Sequence, residues 1–232
     1  ALDAIYGLHV WNYQQSGTVG VKSGPVMAAA DMFTITIKGK GGHGAAPQGT
    51  IDAVVVASHL IQSLQTIVSR NTNPLESTVI TIGKINGGSN FNIIADEVIL
   101  EGTTRAYTII NKNLIKQRMK EIISGIEKTF TTKIILNYKD GYPPVINDEN
   151  STQKIYNAAK KIVGDNVIEP YLSMGGEDFS YYTNEIPGCF FFLGTLPKDK
   201  PPLSIPHHCS HFDIDEEAML IGSSIFIEIA CT

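Results

Sequence analysis

The 232 residues carry 18 Lys and Arg against 23 Asp and Glu, a formal net charge of −5, with no run of basic side chains. That balance excludes nucleic acid or an anionic membrane as the main partner, and no apolar stretch reaches the roughly 18 residues a membrane span needs. Three cysteines (Cys189, Cys209 and Cys231) are an odd number in a long chain. They predict free thiols in a reducing, cytoplasmic setting and not a disulfide framework. The chain opens on Ala1 and runs directly into the apolar pattern of Ile5 to Val10, which predicts a fragment of a longer protein.

Ala4 to Trp11 and Gly17 to Val21 read as short buried strands, followed by the turn chemistry of Ser23-Gly24-Pro25. Phe33, Ile35 and Ile37 alternate with Thr34, Thr36 and Lys38, a half-buried strand that ends at Gly39-Lys40-Gly41-Gly42-His43-Gly44. Val54, Ala57, Leu60, Ile61, Leu64, Ile67 and Val68 recur at three- and four-residue spacing and predict an amphipathic helix over 51–70. His59 falls within that helix and needs no chemical role. Strands over 77–85 and 98–107, a helix marked by Leu114, Ile115, Met119, Ile122, Ile126 and Phe130, and a strand over 133–138 follow. The order strand, helix, strand, strand, helix, strand is that of a ferredoxin-like α+β domain. It is followed by a helix over 151–163, a buried strand over 189–194 and a final helix over 216–231.

Ahead of that last helix stands the densest cluster of potential ligands. His207, His208 and His211 place half of the six histidines within five residues, beside Cys209 and before Asp213, Asp215 and Glu216. Imidazole and carboxylate suit a divalent ion such as zinc, but neighbours such as His207 and His208 rarely face one point, so further ligands must come from elsewhere. The competing reading is a His-rich turn in which Asp213 or Asp215 caps the helix. His9, alone in an apolar strand, is equally open between a core residue and a ligand.

Taken with Gly7-Leu8-His9-Val10, Gly24-Pro25-Val26-Met27-Ala28, Lys40-Gly41-Gly42-His43-Gly44, Asn92 before Ile93-Ile94-Ala95-Asp96, Gly102-Thr103-Thr104-Arg105 and Met174-Gly175-Gly176-Glu177-Asp178-Phe179, the chain resembles the di-metal amidohydrolases. That family includes hippurate hydrolase, N-acyl-amino-acid deacylases and plant indole-acetyl-amino-acid hydrolases, relatives of the co-catalytic zinc carboxypeptidases. The resemblance implies an α/β architecture: the C-terminal part of an αβα metallo-hydrolase catalytic domain, in segments 1–30 and 139–232, with a ferredoxin-like lid or dimerisation domain inserted at 31–138.

It further implies His9 and His208 as metal ligands, two divalent ions (zinc, manganese, cobalt or nickel) in the complete enzyme, and His43 as the catalytic oxyanion donor. Asn92, Arg105, Gly176 and Glu177 fall on the substrate side, with Asp178 beside them; His207, Cys209 and His211 match no ligand position. The Cys-Gly-His motif and the Glu-Glu pair of the family are not in these residues, and Gln48 stands where many relatives carry histidine. The resulting expectation is a metal-dependent amidohydrolase acting on small N-acyl amino acids of the hippurate or indole-acetyl kind, a homodimer through the lid and inactive as this fragment alone. The alternatives are a non-catalytic dimerising module derived from such an enzyme, or a dipeptidase of the same superfamily.

Overall fold

The computed structural model describes residues 2–231. In chain order the elements begin with β1 (Ile5–Gln15), β2 (Val19–Gly20), β3 (Gly24–Met27), β4 (Ala29–Lys38), β5 (Gly42–His43), α1 (Ala53–Thr66), β6 (Thr78–Gly87) and β7 (Ile93–Ile94). They continue with β8 (Glu97–Ala106), α2 (Ile109–Phe130), β9 (Lys133–Tyr142), β10 (Val145–Asn147), α3 (Glu149–Val163), β11 (Val167–Ile168), α4 (Ser180–Thr183), β12 (Gly188–Leu196) and α5 (Ala218–Ala230). Two compact units result: Ala1–Met27, Val145–Ser173 and Glu177–Thr232 form one, Ala28–Pro144 and Met174–Gly176 the other.

The first unit is built on a four-stranded sheet of order β1-β12-β2-β11. β1 runs parallel to β12 from Ile5↔Gly188 to Trp11↔Gly194. Strand β12, Gly-Cys-Phe-Phe-Phe-Leu-Gly-Thr-Leu, is buried along its whole length, as a strand covered on both faces must be. Its alternation divides the unit into two cores. Cys189, Phe191 and Leu193 join Ile155, Ala159 and Ile225 of α3 and α5, whereas Phe190 and Phe192 join Trp11, Val26 and Val145. Helix α3 starts at Asp148, whose carboxylate accepts the Ser151 N–H at 2.8 Å. Helix α5 starts differently from the sequence expectation. Its N-cap is Glu217, with no side-chain cap bond, and Asp215 instead accepts the Glu217 N–H at 3.1 Å and the Ser16 hydroxyl at 2.5 Å.

The second unit is an antiparallel sheet of order β6-β8-β4-β9. Phe33, Ile35 and Ile37 of β4 share one core with Leu60 and Leu64 of α1 and Ile115 and Met119 of α2. Asp52 caps α1 by accepting the Val54 and Val55 N–H groups, and the helix ends in one wide turn over Ile67–Asn71 that keeps Ile67 buried. Helix α2 begins five residues before its apolar stripe does. Thr108 caps it through the Asn111 N–H, and Ile109 and Ile110 are exposed, so periodicity alone cannot mark that first turn.

A charged pair, Asp31 and Lys112, is buried here. Asp31, 1% exposed, accepts Lys112 Nζ and the Gly141 N–H at 2.8 Å each on Oδ1, and the Tyr138 hydroxyl at 2.8 Å on Oδ2. Burial and the Asp31 charge push the Tyr138 phenol well above its ordinary value. Removing one member of such a pair strands the other charge, whereas replacing both avoids that penalty. Asp31→Ala should therefore destabilise the chain by about 3 kcal/mol, read as a lower urea midpoint at unchanged m. The double replacement Asp31→Asn with Lys112→Met should cost less than that. A loss for Asp31→Ala indistinguishable from the double variant would contradict the pairing.

Candidate functional site

In the first unit, the period-two alternation of β1 puts His9, Trp11 and Tyr13 on one face. Their rings form a row, 5.3 Å between the centroids of His9 and Trp11 and 5.0 Å between Trp11 and Tyr13. Nδ1 of His9 donates to the Val10 carbonyl at 2.5 Å, so Nε2 is the ring nitrogen through which it could offer a lone pair. The Glu177–Phe179 segment seats beside this row because residue 7 is glycine. A Cβ there would stand 2.8 Å from the Phe179 ring. Glu177 is half-buried; it accepts the Phe179 N–H at 3.2 Å, and burial followed by the neighbouring Asp178 raises its carboxyl above the ordinary value despite His9.

The histidine segment separates its two adjacent imidazoles. His207 lies against His9, Trp11, Tyr13 and Phe212 at centroid distances of 5.4, 5.0, 5.1 and 5.2 Å. Its Nε2 accepts the main-chain N–H of Asn12 at 3.2 Å, which places the proton of the neutral ring on Nδ1 and leaves no lone pair for an ion. Burial, then the nearby His9 and His208, lower its basicity to a pKa of about 4. His208 is exposed and adopts φ 64°, a left-handed conformation that costs a non-glycine residue about 1 kcal/mol or more. Cys209 is partly buried and His211 exposed. His207 is thus a ring of the aromatic row, a role that sequence spacing did not disclose.

The second unit carries the other candidates in two groups. β5 pairs with β7 through His43↔Ile93, and Gly44 donates to the Asn92 carbonyl at 2.8 Å. Glycine eases that approach, since a Cβ at residue 44 would lie in tight contact with the Asn92 oxygen, at 3.0 Å. His43 and Asn92 therefore share one short ribbon. Nδ1 of His43 accepts the Ala45 N–H at 3.0 Å, so Nε2 carries the proton and faces solvent as a donor. Gln48 lies in the exposed turn Pro47–Gly49 that follows. Arg105 lies on β8 opposite Ala30, with Nη1 donating to the Thr104 carbonyl at 2.9 Å and to Thr103 Oγ1. Gly176 abuts the same Ala30, whose Cβ a side chain at 176 would meet at 2.6 Å.

Whether these donors fit a metal can be tested on their number. Imidazole and carboxylate have the right chemistry, yet among the described residues no three His, Cys, Asp or Glu side chains converge to hold an ion. The donor count falls short of what a tight site needs.

The mixed α/β chain carries a histidine-bearing strand, a Glu-Asp turn and a histidine segment, and its similarity to known proteins fixes the family. All of residues 1–232 match the peptidase family M20/M25/M40, and the chain belongs to that family. It is 44% identical over 231 residues to N-acetyl-L-cysteine deacetylase of Bacillus subtilis (strain 168), covering 99% of this chain and 53% of the relative. It is 38% identical to IAA-amino acid hydrolase ILR1-like 4 of Arabidopsis thaliana, covering 99% and 53%. Among solved structures, the Bacillus subtilis YXEP protein, a dinuclear metal binding peptidase from the M20 family, superimposes with a TM-score of 0.77 at 30% identity, covering 99% of this chain and 56% of that one. The chain thus spans about half the length of the curated relatives it matches.

The lowered basicity of His207 has a consequence for stability. An unfolded histidine titrates near 6.5, so between that value and about 4 the unfolded chain binds more protons than the folded one. Stability contributed by His207 is present above pH 6.5 and declines as the pH falls towards 4. His207→Phe should show a smaller loss of urea midpoint than the parent chain between pH 7 and pH 5. Equal losses would contradict a neutral, ring-packed His207.

Proposed function

We propose that this chain is the histidine-bearing part of a metal-dependent amidohydrolase that cleaves the amide bond of N-acyl amino acids. The observation that carries the reading is similarity along 99% of the chain both to a deacetylase of N-acetyl-L-cysteine and to a hydrolase of an indole-acetyl amino acid conjugate, two substrates that share an acylated amino acid. In this reading His9, through its free Nε2, and His208 contribute ligands to two divalent ions such as zinc, manganese, cobalt or nickel, the remaining donors and the general base coming from outside these residues. His43 presents Nε2–H to the oxyanion that develops as the amide is attacked. The Arg105 guanidinium and Asn92 hold the substrate carboxylate, for which the planar fork is suited, and Gly176 and Glu177 are further substrate-binding residues.

The second unit then serves as lid and dimerisation domain of a homodimer. Its edge strand β6 carries one charged residue, Lys84, and exposes Ile85, while α1 exposes Val54 and Val55; edges so lightly guarded pair with other chains. A strictly monomeric species in sedimentation at tens of micromolar protein would contradict the dimer.

The shortfall of gathered donors favours one second reading, a dimerising module without catalysis. The two separate in an assay with N-acetyl-L-cysteine, hippurate and an indole-acetyl amino acid, run on the 232-residue chain and on the longer protein with each of the four ions. The proposal expects hydrolysis only by the longer protein. There, His208→Ala should lower metal content and rate together, and His43→Ala should lower kcat by about 100- to 1000-fold at unchanged metal content. Inactivity of the longer protein supports the module. Turnover by the short chain near the median of about 10 per second would show that no outside residues are needed.

A further inference from the structure

Asn12, on β1, is polar and fully buried, and every hydrogen-bonding atom of its carboxamide is used. Nδ2 donates to the Asp213 carbonyl at 2.7 Å and to the Ile205 carbonyl at 3.4 Å. Oδ1 accepts the hydroxyl of Thr195, also fully buried, at 2.6 Å. The orientation of the amide is unambiguous, since both partners of Nδ2 are carbonyls and can only accept. The main-chain N–H of the same residue meets His207 Nε2. One residue of β1 therefore fastens β12 and three points of the 205–213 segment: its beginning, the half-buried His207 imidazole and its end. Between those points the segment has no helix or strand, and His208 lies among them in a left-handed conformation that its surroundings must impose.

We propose that Asn12 is the positioning residue for His208. It does not touch an ion or substrate; by holding Ile205 and Asp213 to β1 it sets the segment's ends and thereby the direction in which the His208 imidazole is offered. The proposal rests on the reading of His208 as a metal ligand. An apolar side chain at residue 12 would take the partner from the buried Thr195 hydroxyl and the Ile205 carbonyl and from the part-buried Asp213 carbonyl, a penalty that releasing the segment relieves.

The test uses the 232-residue chain with zinc alone as the probe, read by imidazole resonances during titration, together with amide hydrogen exchange over residues 205–213. Asn12→Leu should speed exchange in the segment and weaken zinc binding about 10- to 100-fold, the range seen when groups supporting a ligand are removed. Thr195→Val, which removes one hydroxyl at nearly constant shape, should act in the same direction more weakly, and Thr195→Ser should restore parental behaviour; this pair decides the matter if Asn12→Leu does not fold. A generally loosened unit would speed exchange along β12 as well, so protection there must persist. His208→Ala is the control. Zinc binding lost in His208→Ala but unchanged in the folded Asn12 and Thr195 variants overturns the positioning role alone. Zinc binding unchanged in His208→Ala overturns the ligand reading, and the proposal with it.

Discussion

Parallel pairing of β1 with β12 is the constraint on which the first unit depends. It joins residues 5–11 to residues 188–194, so the two ends of the sequence must meet before either core can close. Loop-closure entropy makes such a contact expensive, and the chain offsets it with a strand buried on both faces. Phe191 and Leu193 serve one core and Phe190 and Phe192 the other, so each residue of β12 buries apolar area on one side or the other, at roughly 25 cal/mol per Å². His9 and Asn12 are carried on the partner strand. Their positions follow from this pairing and not from the local sequence around them.

The same strand shows how polar groups are used within an apolar frame. His9 lies on the ring-lined face with a free Nε2; Asn12 is turned into the interior, where each atom of its own carboxamide finds a partner. His207 completes the row of rings by accepting a main-chain N–H, leaving the neighbouring His208 as the imidazole exposed to solvent. Two adjacent histidines thus take opposite parts, one structural and one available, and the backbone enters the left-handed region at the second of them, His208. In the second unit glycines do comparable work: Gly44 lets the His43 turn touch Asn92.

Much of this was legible in the sequence. The alternation of Phe33, Ile35 and Ile37 and the helical spacing of Leu60 and Leu64 reflect burial on a single face, which a one-dimensional pattern records directly. The start of α2 was not legible, because Ile109 and Ile110 are exposed apolar residues outside the stripe and the helix is fixed by the Thr108 cap. Nor was the α5 cap, where Asp215 is drawn to the hydroxyl of Ser16, 199 residues away. The candidate residues could be named from their motifs, yet the role of His207 could not. Spacing within a cluster of histidines cannot tell which ring a distant strand will claim, and the N–H that His207 accepts belongs to the main chain of Asn12, which has no side-chain signature.

On the proposed function these residues supply some but not all of a metal centre: among the described residues the donors have the right chemistry and are too few at any one point. Metal analysis of the purified 232-residue chain after saturation with zinc and desalting tests it most directly. The account predicts that no stoichiometric zinc survives desalting, with weak binding recovered only at excess ion and diminished by replacing His9 or His208. Two ions retained per chain would contradict it.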